Sequence, residues 1–215
     1  MIVELIAHTT DPLALCEEAA AMCTQSDKPA QALRGAIRSG HESVLEHASF
    51  TFKITGISRI TLAQLTRHRI ASFSVLSQRY VDQSRQGCVI PPSIKQNGEM
   101  FDLYVSQVSR LRWIYDAMVE AGIPKEDARY ILPQGTTTDL IMTMNARELG
   151  HFFSLRCCNR AQWEIREMAD QMLRILVGQW PELFGQCGPG CIRGHCPEKR
   201  PCGHPRTAED WRNAE

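Results

Sequence analysis

The chain has 215 residues, 43% of them hydrophobic, enough for one domain of ordinary size with its own core. Lys plus Arg and Asp plus Glu number 24 each, so no global field draws in a polyanion, and phosphate recognition has to come from local arginines. No run approaches the roughly 20 apolar residues of a membrane span. The start Met1-Ile2-Val3-Glu4-Leu5 lacks the basic and apolar regions of a signal peptide, so a cytoplasmic protein is expected, its nine cysteines being reduced thiols or metal ligands.

Ile2 to Ala7 reads as a short strand. Asp11-Pro12 is a helix start, and Leu15, Cys16, Ala19, Met22 and Cys23 then recur at helical spacing. A second short helix is predicted over Pro29 to Arg38, stopping at Gly40. Phe50, Phe52 and Ile54 alternate with Thr51, Lys53 and Thr55, the pattern of a half-buried strand. Ser58 is placed to cap a helix from Arg59 to about Arg69. From Glu99 to Glu120 the apolar positions 101, 104, 105, 108, 111, 115, 118 and 119 form one helical stripe, ended by Gly122. A further turn or two is predicted from Pro124 to Arg129, and Thr136 to Met144 reads as a strand. Asn145 with Glu148, and Asn159 with Gln162, have capping-box spacing and predict two more helices. The second of these buries Ile165, Ala169, Met172, Leu173 and Leu176 and ends before Pro181. Strands separated by clusters of helices define an α+β protein.

The stretch Arg67-His68-Arg69 to Tyr80 carries the chemistry. Arg67, His68 and Arg69 stand together, apolar and hydroxyl residues then alternate, and Ser77 and Arg79 follow. On this reading the triplet lies near the C-terminal end of its helix and the Ser77/Arg79 pair on the loop beyond. A guanidinium offers a planar fork of donors to phosphate, and a serine hydroxyl adds one more. The triplet alone is also what a solvated helix end looks like; the triplet followed by seven residues and Ser is far more specific.

That spacing resembles the signature of the flavin-dependent thymidylate synthases. The resemblance runs from about Ile2 to Trp180 and includes Gly40-His41-Glu42-Ser43 with Glu46-His47, and Ala128-Arg129-Tyr130-Ile131-Leu132-Pro133. It also includes Asn145-Ala146-Arg147, Leu155-Arg156 and Ala161-Gln162-Trp163-Glu164, in the right order. It implies a subunit with a central antiparallel sheet packed with long helices, assembled as a homotetramer with active sites at subunit interfaces. It further implies reductive methylation of dUMP to dTMP, with 5,10-methylenetetrahydrofolate as carbon donor, FAD as hydride carrier and NADPH as reductant, and without an enzyme nucleophile.

By position the resemblance assigns dUMP to Gln64, Ser77, Gln78, Arg79, Arg129 and Arg156, with Arg156 catalytic at the uracil edge. It assigns FAD to His41, Ser43, Arg67, His68, Arg69, Asn145, Arg147 and His151. The chain departs from the family pattern at Val75, where a polar residue is common, and at His151, where an amide is. Cys157 and Cys158 directly follow Arg156, but the flavin-dependent family uses no enzyme thiol, so neither is expected to be a nucleophile.

The domain that the resemblance implies is set at residues 1–184. The tail, 185–215, is rich in Cys, Gly, Pro and charge. Cys187, Cys191, Cys196 and Cys202, with His195 and His204 inside or beside them, fit an iron–sulfur cluster, a zinc site, or reduced thiols with no metal. Two rival functions remain: a nucleic-acid-binding module with a metal knuckle, against which stand the zero net charge and the lack of a nucleic-acid motif, and a non-catalytic nucleotide sensor. Neither a nucleic-acid partner nor a membrane is expected.

Overall fold

The computed structural model describes residues 1–194 and 196–212. In chain order the elements are β1 (Ile2–His8), α1 (Pro12–Thr24), α2 (Pro29–Arg38), β2 (Ser49–Ser58), α3 (Arg59–Leu65), β3 (Ala71–Val75), α4 (Pro92–Lys95) and α5 (Gly98–Glu120). There follow α6 (Lys125–Ala128), β4 (Thr137–Asn145), α7 (Ala146–Arg156), α8 (Trp163–Gln179), α9 (Pro181–Phe184) and α10 (Glu209–Arg212). The strands form one antiparallel sheet in the order β1-β2-β4-β3, which makes the chain α+β as expected. Among the described residues no helix is long and apolar enough to cross a membrane.

The chain divides into two compact units. The first comprises residues 1–2, 54–66 and 74–140; the second comprises 3–53, 67–73 and the described residues from 141 onward. In the first, Ile54, Ile57, Leu65, Tyr115, Ala128 and Leu140 are buried. Ser58 caps α3 by accepting from the Thr61 amide at 3.1 Å. Gly56 has φ of +75°, a conformation that only glycine adopts freely, and its amide donates to Asp139 Oδ1 at 2.8 Å.

The second unit is built on α7 and α8, which pack together. Along β2 the predicted alternation puts Phe50 and Phe52 inside, while Thr51 reaches Thr143 across the strands at 2.9 Å. Phe152, Phe153, Leu149, Met168, Met172 and Leu176 are fully enclosed, each contributing about 1.5–3 kcal/mol on burial. Phe50 meets Trp180 and Phe184 edge-on, both at 5.2 Å between centroids.

Three expectations need correction. Helix α3 ends at Leu65, about four residues early, because Thr66 turns its hydroxyl back to the Leu62 carbonyl at 3.1 Å and closes the last turn. The Arg67-His68-Arg69 triplet therefore lies beyond the helix, and the alternating stretch after it is strand β3. Helix α8 is capped by Gln162, whose Oε1 accepts from the Glu164 and Ile165 amides at 3.0 and 3.1 Å; the Asn159 side chain instead donates to the His204 carbonyl at 2.7 Å.

The tail folds onto α8. Arg206 reaches Asp170 at 2.7 Å and Asp210 at 2.9 Å, and lies over the Trp211 ring at 4.5 Å. The Trp211 indole N–H donates to the other oxygen of Asp170 at 2.9 Å. Burial works to lower the Arg206 pKa, but the two carboxylates outweigh it and hold the guanidinium above its ordinary value. Removing one partner of a buried pair strands the other, so Asp170→Ala is expected to cost about 3–5 kcal/mol in urea unfolding. A loss below about 1 kcal/mol, the range of an exposed pair, would contradict this clasp.

Candidate active site

In the first unit Ser77, Arg79 and Arg129, expected at the nucleotide, are tied together by the turn after β3 and by Glu126, whereas Arg156, expected with them, belongs to the second unit. The Ser77 hydroxyl accepts from the Arg79 amide at 3.2 Å, a local turn that fixes the loop. Arg79 Nε donates to Glu126 Oε2 at 2.8 Å, and its guanidinium lies 5.4 Å from the Tyr80 ring centre. Both ends of this ion pair are about half exposed, with side-chain exposures of 52% and 48%, so the contact is weak and exchangeable for a phosphate. Arg129 Nε donates to the Glu126 carbonyl at 3.0 Å, which ties it to the same helical turn. Gln64 sits on α3, half-buried, and Gln78 lies between Ser77 and Arg79.

Arg59 joins this group. Its Nη2 donates to the Leu76 carbonyl at 2.8 Å. Burial, then the charge of Arg129, push its pKa below the ordinary value, so the two guanidinium groups feel each other. As the first residue of an ordinary helix, Arg59 carried no sequence signal for this role.

In the second unit α7 organises the chemistry. Asn145 caps it, its Oδ1 accepting from the Glu148 amide at 2.9 Å. The helix then carries Arg147, Glu148, His151 and Arg156. Arg147, exposed, pairs with Glu46 and with Glu42 at 4.0 Å, and the Glu46 hydrogen bond holds its pKa above the ordinary value. The Glu148 side chain does not complete the expected capping box. Instead it meets His68 Nδ1 at 3.2 Å, and Arg156 Nε donates to His68 Nε2 at 3.1 Å. His68 is 4% exposed, with the Phe152 ring 5.0 Å and the His151 ring 5.9 Å away.

Of the residues expected at the flavin, Asn145, Arg147 and His151 line one cleft of about 810 Å³. Arg67, Arg69, His41 and Ser43 are exposed and do not line it. His68 turns inward, both ring nitrogens engaged. The cleft adds apolar Ile37, Leu45 and Ile70 and the cations Arg38 and Arg193. Glu42, Glu46 and Glu148 also line it, the first two paired with Arg147. Apolar walls with convergent cations and the two amides of Asn145 and Gln186 suit a flat ring carrying a phosphate chain, so the residues fit FAD.

Arg156 lines a second cavity of about 670 Å³, with Cys158, Cys191, Cys196, Cys202 and Arg206 also in its wall. Burial pushes the Arg156 pKa down, although a guanidinium stays protonated. Cys157 is fully enclosed, and burial followed by the nearby Asp170 charge pushes its thiol well above the ordinary value, against a nucleophile.

The four tail cysteines expected as metal ligands are split. Cys187 lines the first cleft and its thiol points to the Leu183 carbonyl at 3.8 Å, whereas Cys191, Cys196 and Cys202 line the second. The Arg206 and His204 amides donate to the sulfurs of Cys191 and Cys202, each at 3.4 Å. Among the described residues no three His, Cys, Asp or Glu side chains are close enough to hold a metal ion. His195 lies outside the described residues.

Residues 4–182 match the family model described as thymidylate synthase complementing protein. A Geobacter sulfurreducens protein named flavin-dependent thymidylate synthase is 46% identical over 212 residues, covering 92% of this chain and 91% of its own. Proteins of the same name from Nitratidesulfovibrio vulgaris and Pyrococcus abyssi are 41% and 44% identical, covering 91% and 80% of this chain and 91% and 75% of their own. The chain belongs to the family of the flavin-dependent thymidylate synthases.

Proposed function

We propose that this protein makes dTMP by reductive methylation of dUMP, with 5,10-methylenetetrahydrofolate as carbon donor and NADPH as reductant. The observation that carries this is likeness along nearly the whole chain: the family match spans residues 4–182, and a relative of that name is 46% identical over 92% of it. Zero net charge and local arginines suit a single nucleotide better than a polynucleotide.

Arg79 and Ser77, with Gln78 beside them, would grip the dUMP phosphate, and Gln64 and Arg129 would help hold the nucleotide. Arg79 is supported by its exposed, exchangeable bond to Glu126. Arg156 would meet the uracil edge. A fixed cation there stabilises negative charge building on the ring and makes C5 nucleophilic with no thiol adduct. When bound, FAD would supply the hydride chemistry. Asn145, Arg147, His151, His41, Ser43, Arg67 and Arg69 would bind and orient it, and His68, whose ring nitrogens are engaged, would meet it through backbone alone.

The working assembly is a homotetramer, whose sites are completed by more than one protomer, so Arg79 and Arg156 need not come from the same chain. Helix α5 supports it: Met100, Leu103, Val105 and Trp113 are exposed, and Tyr115 is its one buried residue. Nine free thiols are in keeping with the cytoplasm. The synthase domain is residues 1–184. The tail gains support as a cover closed by Arg206 and Trp211 rather than as a metal cage, since its thiols face two different cavities.

The test is an anaerobic assay with dUMP, methylenetetrahydrofolate, FAD and NADPH. Wild-type protein is expected to form dTMP. Arg79→Ala is expected to weaken dUMP binding on the order of tenfold to hundredfold, the value of a charge-assisted contact of about 1.5–3 kcal/mol. Arg156→Ala is expected to cut turnover with a smaller loss of affinity. No dTMP, or equal affinity losses in the two variants, would refute the assignment. The Cys157→Ser, Cys158→Ser double variant is expected to keep substantial turnover; lost turnover with dUMP still bound would bring back a thiol mechanism.

A further inference from the structure

We infer that His68 and Glu148 form a positioning pair that holds the catalytic guanidinium of Arg156 through a neutral imidazole. The inference rests on Arg156 acting at the uracil, as proposed above.

The hydrogen bonds leave one protonation state. Arg156 is a donor only, so its Nε–H can bond to His68 Nε2, at 3.1 Å, solely if that nitrogen carries a lone pair. The proton then sits on Nδ1 and donates to Glu148 Oε1 at 3.2 Å. A protonated ring would turn an N–H toward the guanidinium and set two cations together in a buried place. The carboxylate orients the ring, and the ring orients the arginine.

Three elements hold the pair in place. Glu148 is anchored by the Asn145 cap, His68 is wedged against the Phe152 ring at 5.0 Å, and α7 is fixed by the enclosed Leu149 and Phe153. The groups facing the imidazole are Glu148, Arg156 and His151. Burial is the largest influence on its pKa and lowers it; the Glu148 hydrogen bond opposes this, and the Arg156 and His151 charges add to it, leaving His68 below its ordinary value of about 6.5. A depressed histidine is neutral in the folded state above that lowered value, so the arrangement is intact at neutral pH. It is lost only as pH falls below about 6.5 and through the folded pKa.

The experiment has a ligand-free arm and a kinetic arm. Imidazole nitrogen NMR of the full chain is expected to show His68 neutral with the proton on Nδ1 at pH 7; a charged ring or the opposite tautomer overturns the inference whether or not the protein makes dTMP. In the assay, His68→Ala is expected to lower kcat on the order of a hundredfold, as for a misplaced catalytic group, with KM for dUMP changed less than about twofold. His68→Gln, which returns an acceptor near the Nε2 position, is expected to recover much of kcat and to lose the acidic limb of the pH profile. Equal losses in both variants, or a His68→Gln profile that keeps that limb, would overturn it. Absence of wild-type turnover with the Nδ1 tautomer present would instead sink the proposed activity and leave the pair standing.

Discussion

A hydrogen bond from Arg156 Nε to His68 Nε2 sets the terms for the second unit. It requires a neutral imidazole beside a permanent cation; burial favours that state against the pull of Glu148, and the carboxylate on the far nitrogen fixes the tautomer. The carboxylate must then be held, which the Asn145 cap and the enclosed face of α7 do. The buried Phe152 and Phe153 seat α7, the helix that carries both Glu148 and Arg156.

The arginines divide by environment. Arg79 is exposed and bonded to Glu126, a contact that costs little to exchange, which suits a group that captures an anion from water. Arg156 is partly buried, and its pKa is lowered by that burial, which suits a group whose charge acts on a reacting ring without reorganising. Capture and chemistry place opposite demands on solvation, and the proposed division of roles follows the different exposure of the two side chains. The tail adds a wall beside Arg156, closed by the Arg206–Asp170 bond and the Trp211 indole.

Much of this was legible in the chain. The alternation of Phe50, Phe52 and Ile54 and the stripe ending at Gly122 are local patterns, and local patterns survive folding. Ser58, Asn145 and Asp11 cap helices as read, because a cap is decided within four residues. Strand β3 was missed although its apolar and hydroxyl residues alternate, since the basic triplet beside it suggested a loop. Glu148 has the spacing of a capping box, yet its side chain serves His68, 80 residues away. Arg59 and the splitting of the tail cysteines between two cavities likewise depend on contacts between distant segments, which spacing does not encode.

The most direct measurement is a crystal structure of the protein with dUMP and FAD bound. The account predicts the Arg156 guanidinium at the carbonyl edge of the pyrimidine, with its Nε still donated to His68. An Arg156 side chain turned away from the base, or released from His68 in that complex, would contradict it.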